Sequence, residues 1–200
     1  FVILFSLIKK EGFEMVKPYR THSFAELGEK LSFGQELTVS TVQNTNAMLL
    51  SIGSNMSEKS IGAIEKILGT SLPDANRMVQ GVVEIIWQGP YQFLLVGKQL
   101  KLDEISTVLN AELKDETILV TPFSSAVKFM HVIGKNATTL LALLTSIPLD
   151  TDKFSTETVA ITRLAKVRCT LIRRAGGVDI IVDRINANHV WEWITDAANT

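Results

Sequence analysis

The stretch Val82-Val-Glu-Ile-Ile-Trp87-Gln-Gly-Pro-Tyr-Gln-Phe93-Leu-Leu-Val96 holds two apolar, β-prone runs, Val82 to Trp87 and Phe93 to Val96. Gln88-Gly89-Pro90-Tyr91 lies between them, and that grouping predicts a hairpin. Further along, Val167 to Ile172 and Val178 to Val182 flank Ala175-Gly176-Gly177 in the same way. Each hairpin is followed by a helical pattern and preceded by a strand and a helix.

Before the first hairpin, Ala47 to Ile52 reads as a strand ending at Gly53. Ser57 then caps a helix with Ile61, Ile64, Ile67 and Leu68 on one face. After the hairpin, Asp103 is positioned to cap a helix carrying Leu102, Ile105, Val108, Leu109 and Leu113. From the second hairpin, Val127 to Ile133 reads as a strand and Thr138 to Leu144 as an apolar helix. Val159 to Leu164 adds a strand before the hairpin, and a last helix covers about 187–197. The order strand-helix-strand-strand-helix thus occurs twice. Ile52-Gly53-Ser54-Asn55 resembles Ile133-Gly134-Lys135-Asn136, and Thr70-Ser71-Leu72-Pro73 resembles Thr145-Ser146-Ile147-Pro148, in the same relative places. This indicates an internal duplication.

The expected fold class is α+β: two similar lobes, 45–116 and 117–200, each a small sheet with helices on one face, packed into one unit. Residues 1–44 show no sustained period and are expected to form an irregular arm. Phe1 to Ile8 is apolar but is followed, not preceded, by Lys9 and Lys10, the wrong order for a secretion signal. It is also too short to span a bilayer. Met15 precedes a plausible start, so residues 1–14 are read as upstream sequence or the end of a fragment.

Across 200 residues, 46% are apolar and the net charge is −1, which supplies no basic field for a nucleic acid or an anionic membrane. One cysteine, Cys169, cannot form an internal disulfide and suits a reducing compartment, the cytoplasm by default. Glycine-rich phosphate loops, His-Glu-x-x-His, Cys-x-x-Cys and Gly-x-Ser-x-Gly are missing. His22, His131 and His189 fall in separate segments, with His131 inside an apolar strand as expected of a hydrogen-bonded core or edge histidine. No catalytic, cofactor-binding or metal residue is assigned.

Two features remain. Arg163, Lys166, Arg168, Arg173 and Arg174 lie in a stretch with no acid from Thr158 through Val178. Such a stretch is either a solvated strand face or a docking surface for an acidic protein. Trp191 and Trp193 are two apart in a helix and point about 200° apart, so one packs inside while the other faces outward. Arg163, Lys166, Trp191 and Trp193 are therefore the candidate interface residues.

Trp87-Gln88-Gly89-Pro90-Tyr91-Gln92-Phe93-Leu94-Leu95 resembles the Trp-x-Gly-Pro-x-x-aromatic-Leu-Leu turn of sarcosine oxidase gamma subunits. Gly134, Leu143-Leu144, Pro148-Leu149-Asp150, Phe154, Thr162-Arg163-Leu164-Ala165 and Trp191-Glu192-Trp193-Ile194-Thr195-Asp196-Ala197-Ala198 follow in that family's order. Tyr91-Gln92 replaces an acidic pair frequent after Gly-Pro, and Pro122 stands where an aspartate is expected. The resemblance implies an aminomethyltransferase folate-binding-domain-like fold and a heterotetramer that oxidatively demethylates sarcosine to glycine, hydrogen peroxide and a one-carbon unit. It implies alpha, beta and delta subunits as partners; these would hold FAD, FMN, NAD, tetrahydrofolate and zinc, leaving this chain non-catalytic. The alternative is an independent folate-binding or one-carbon transfer protein. Against it, Thr162 to Arg174 lacks the carboxylates that hold folate amines in aminomethyltransferases.

Overall fold

The computed structural model describes residues 30–33, 37–42, 45–149 and 152–199. Its strands are β1 (Lys30–Phe33), β2 (Leu37–Val42), β3 (Asn46–Ile52), β4 (Met78–Gln80), β5 (Glu84–Gly89), β6 (Gln92–Gly97), β7 (Ile118–Pro122), β8 (Val127–Ile133), β9 (Val159–Leu164), β10 (Val167–Arg174) and β11 (Gly177–Asp183). The helices are α1 (Glu58–Leu68), α2 (Gln99–Glu112), α3 (Ala137–Ala142) and α4 (Ala187–Ala198).

Both hairpins form, β5 with β6 and β10 with β11, and each lies inside a larger antiparallel sheet. One sheet has the order β4-β5-β6-β3-β7, the other β1-β2-β8-β11-β10-β9. Strands β3, β5, β6 and β11 carry consecutive apolar residues because both of their faces are covered. Ile85 and Leu95 face α1 and α2, whereas the adjacent Ile86 and Leu94 face the other sheet. Ala47, Met78, Val127, Phe129, Val159, Ile172 and Ile181 complete that inter-sheet layer. A third core, with Met130, Val132, Leu171, Ile180 and Trp191, seals β2, β8, β10 and β11 under α3 and α4. The layers run helix, sheet, sheet, helix.

The two sheets are pseudo-equivalent and exchange strands. β3, β6, β5 and β4 follow the same neighbour order as β8, β11, β10 and β9. The strand that precedes each series in the chain pairs into the opposite sheet: β2 with β8, and β7 with β3. Residues 30–33 and 37–42, expected to be irregular, are therefore strands, and β7 joins the sheet of the first lobe although it lies beyond 116. The missed signal in β2 is a period of two, Leu37, Val39 and Thr41 buried, in which Thr41 reads as polar. Residues 1–29, including 1–14, lie outside the described residues.

Local chemistry sets most boundaries. The Ser57 hydroxyl accepts from the Ser60 backbone N–H and starts α1, and Gly69, at φ 74°, ends it. Asp103 does not cap α2. That helix starts from Lys98, one turn earlier, so that Leu102, Ile105 and Leu109 reach the core, while Val108 stays exposed. Asp103 instead accepts a hydrogen bond from Gln99 at 2.8 Å. The run from Val82 begins its ladder only at Glu84. β4 occupies the place in the first series that β9 holds in the second, so the additional strand is common to both. At Gly177 a Cβ would lie 2.1 Å from the Val132 carbonyl oxygen, so only glycine lets β11 pair there with β8.

Candidate functional site

A cavity of about 420 Å³ opens between the sheets at the Ala175-Gly176 turn. Val42, Ile86, Val96, Phe129, Ile172 and Val178 give it apolar walls. The charged lining is built by register. His131 on β8 and Asp179 on β11 are cross-strand partners, which puts both side chains on the same face, and Nδ1 of His131 hydrogen-bonds Oδ1 of Asp179. Arg174, the last residue of β10, donates from Nε to Oδ2 of Asp179 at 2.6 Å. Its Nη2 donates to Oε2 of Glu84 at 2.9 Å, and its Nη1 lies 3.1 Å from the Met78 sulfur. Glu84 and Met78 belong to the opposite sheet, so one guanidinium ties the two sheets together.

Burial alone would raise the Asp179 pKa. The hydrogen bonds and charges of His131 and Arg174 outweigh it and hold the carboxyl below its ordinary range. Burial likewise pulls the Arg174 guanidinium down, and Glu84 and Asp179 more than compensate, so it is raised overall. Among the described residues no group of three or more His, Cys, Asp and Glu side chains is placed to hold a metal ion.

His131 is the hydrogen-bonded strand histidine that its apolar neighbours suggested. The two carboxylates were missed. Thr162 to Arg174 does lack acids, but Asp179 follows the Gly176-Gly177 pair with only Val178 between, and Glu84 arrives from the other sheet. Contrary to the expectation from Thr162 to Arg174, the hairpin region does offer the cavity a carboxylate, Asp179. The signals were local: Glu84 is the one charge in Glu84-Ile-Ile-Trp87, and Asp179 the one charge in Val178-Asp-Ile-Ile-Val182.

The basic residues separate into two groups. Arg173 and Arg174 sit at the cavity end of β10, where Arg173 Nη1 donates to the Gly177 carbonyl oxygen at 3.3 Å. Arg163, Lys166 and Arg168 sit at its other end, about 20 Å away at the strand rise of roughly 3.3 Å per residue. There β9 and β10 are joined by the two-residue turn Ala165-Lys166, both left-handed at φ 49° and 69°. For side chains with a Cβ this conformation costs about 1–2 kcal/mol each, and glycine or asparagine is the usual occupant. The turn is held from both sides. The Ala165 N–H donates to the Leu144 carbonyl at 2.9 Å, and His189 Nε2 lies 3.1 Å from the Ala165 carbonyl oxygen.

His189 also contacts the ring of Trp193, with centroids 6.1 Å apart and planes tilted by 57°. Trp193 is 47% exposed, so its ring stands in solvent near the Ala165-Lys166 turn that His189 holds, whereas Arg163 leaves the strand on the face opposite the buried Leu164. Trp191 is 3% exposed and belongs to the core with Val190 and Ile194. It presents no surface to a partner, because the 200° offset that turns Trp193 outward turns Trp191 inward.

Among the described residues no helix is long and apolar enough to cross a membrane. No curated protein sequence matches the chain. In fold it is similar to a chain of the heterotetrameric sarcosine oxidase from Corynebacterium sp. U-96, solved with pyrrole 2-carboxylate, at 22% identity and TM-score 0.73, covering 86% of this chain and 88% of that one. It is also similar to the glycine cleavage system aminomethyltransferase T from Bartonella henselae, at 11% identity and TM-score 0.59, covering 80% of this chain and 45% of that one. The sequence pattern of the sarcosine oxidase gamma subunit family matches residues 52–200. The chain belongs to the sarcosine oxidase gamma subunit family.

Proposed function

We propose that this chain is a non-catalytic, structural subunit of a heterotetrameric sarcosine oxidase, assembled with alpha, beta and delta subunits that hold the flavins, NAD, tetrahydrofolate and zinc. The observation that carries the reading is the family match over residues 52–200. The complex demethylates sarcosine oxidatively to glycine, hydrogen peroxide and a one-carbon unit, and this chain supplies contact surface. A buried, unpaired Cys169 suits work in a reducing cytoplasm. The interface includes the end of the molecule carrying Arg163, Lys166 and Trp193, where exposed tryptophan and cationic side chains offer an anchor and an orienting field. Co-purification from the native source tests this. Recovery of the chain in stoichiometric complex with flavoprotein subunits is expected, and recovery only as a free protein overturns it.

A second reading, folate binding by the chain itself, gains from one observation: Asp179 and Glu84 place carboxylates at an apolar-walled cavity. Calorimetry of the isolated chain with tetrahydrofolate separates the two. The structural-subunit reading expects no heat of binding. A dissociation constant near 1 μM, about −8 kcal/mol, that is lost in Asp179→Asn would favour the second.

A further inference from the structure

The β9–β10 hairpin end is built at a cost. Arg163 and Arg168 are direct cross-strand partners, so two guanidinium side chains leave the same face of the sheet side by side. Like charges placed directly opposite destabilise a strand pair. Neither they nor Lys166 forms a hydrogen bond or ion pair through its side chain among the described residues. Asp183 shares a small cleft with Arg168 but makes no ion pair with it. The turn between the arginines adds backbone strain at Ala165 and Lys166. Strain held in place by surrounding contacts points to a use for the geometry.

We propose that Arg163 and Arg168 form a clamp for a carboxylate side chain on an acidic segment of a partner subunit. An anion between the two guanidinium groups turns their repulsion into shared attraction, and planar guanidinium forks match a carboxylate with paired hydrogen bonds. The clamp borders an open cleft of about 400 Å³ that Ser146, Ile161 and Thr162 also line. A protein segment fits better than a free small anion because the cationic surface is extended. Lys166 continues it at the turn, and His189 joins that turn to the exposed ring of Trp193. The inference rests on the subunit reading above and adds which residues receive the partner and what chemistry they receive.

Arg163→Glu separates this from a structural role, because it replaces a repulsive cross-strand pair by an attractive one. In the isolated subunit its thermal midpoint should rise. In reconstitution with purified partner subunits at low salt, association should slow by about tenfold or more and lose much of its salt dependence. The double variant Arg163→Gln, Arg168→Gln, which introduces no new charge, should slow association in the same direction. Wild-type association kinetics in a folded Arg163→Glu or double-Gln subunit overturn the clamp while leaving the subunit reading intact. Failure of the wild-type chain itself to join the partner subunits overturns that reading. Submillimolar binding of inorganic phosphate to the isolated chain, lost in the double-Gln variant with assembly unchanged, also overturns the clamp by making the site one for a small anion.

Discussion

Asp179 is 14% exposed and in contact with both His131 and Arg174, so its charge is stabilised in the fold more than in the unfolded chain. A carboxyl whose pKa falls on folding contributes stability that is complete above its unfolded value, about 3.9. That contribution is lost as pH falls through the lower folded value. Asp179→Asn should lower stability near neutral pH by about 1.5–3 kcal/mol, the scale of hydrogen bonds to charged groups. Its stability should also fall less steeply than the wild type's below about pH 4, as read by urea unfolding across that range. Cys169 offers a second check. Burial pushes its thiol up to about 12 against a bond with the Leu164 backbone, so a thiol reagent at neutral pH should leave it unmodified until denaturant is added. Rapid labelling of the native chain would show that β10 opens. Cys169 was legible as a small buried residue from its apolar neighbours. Asp179 was not legible as a site residue, because its partner Arg174 lies across a turn and Glu84 comes from a strand 90 residues away in sequence from that arginine.

At the scale of elements, helix α4 carries two rings whose fates differ by rotation alone. Trp191→Ala should cost the isolated chain about 3–5 kcal/mol through the cavity it leaves. Trp193→Ala should change that stability by less than about 1 kcal/mol, yet speed dissociation from the partner complex by the equivalent of about 2 kcal/mol or more if its ring is an anchor. Thermal unfolding and dissociation kinetics read the two effects separately, and equal losses of stability in both variants would make both rings structural. The spacing of the tryptophans required one to be inside, while choosing which one needed the packing of α4 on the core that holds Val190, Trp191 and Ile194. The hairpins were readable in the same partial way. Turn residues between paired apolar runs located them, while the covering of both strand faces came from the packing of the helices and of the second sheet. The true start of β5 at Glu84 depended on its pairing with Val96, which no local pattern contains.

At the scale of the whole molecule, the duplication was visible in short matches and in element order, but the strand exchange was not. Exchange is a property of pairing partners far apart in sequence, and β2 and β7 look locally like ordinary leads into β3 and β8. It carries a consequence for folding. Leu37 and Val39 of β2 complete the core under α3 and α4, and Ile118 and Val120 of β7 pack on the core under α1 and α2. Neither sheet therefore completes its edge without a strand from the other series, and the inter-sheet layer joins both. The two halves should unfold together. Trp87 packs on one helix-covered core and Trp191 lies in the other, so each can report on its own half. In a chain carrying Trp191→Phe and Trp193→Phe, urea unfolding followed by Trp87 fluorescence should coincide with unfolding followed by far-ultraviolet circular dichroism. The same coincidence is expected for Trp191 in a chain carrying Trp87→Phe and Trp193→Phe. Starting the chain at residue 45 removes β1 and β2, uncovers the β8 edge and deletes two buried apolar side chains, Leu37 and Val39, worth about 1.5–3 kcal/mol each. That truncated chain should lose the cooperative transition at both tryptophans, since β8 also pairs with β11 and so leads to the inter-sheet layer. Were the lobes independent, truncation would abolish the Trp191 transition and leave the Trp87 transition at its original midpoint.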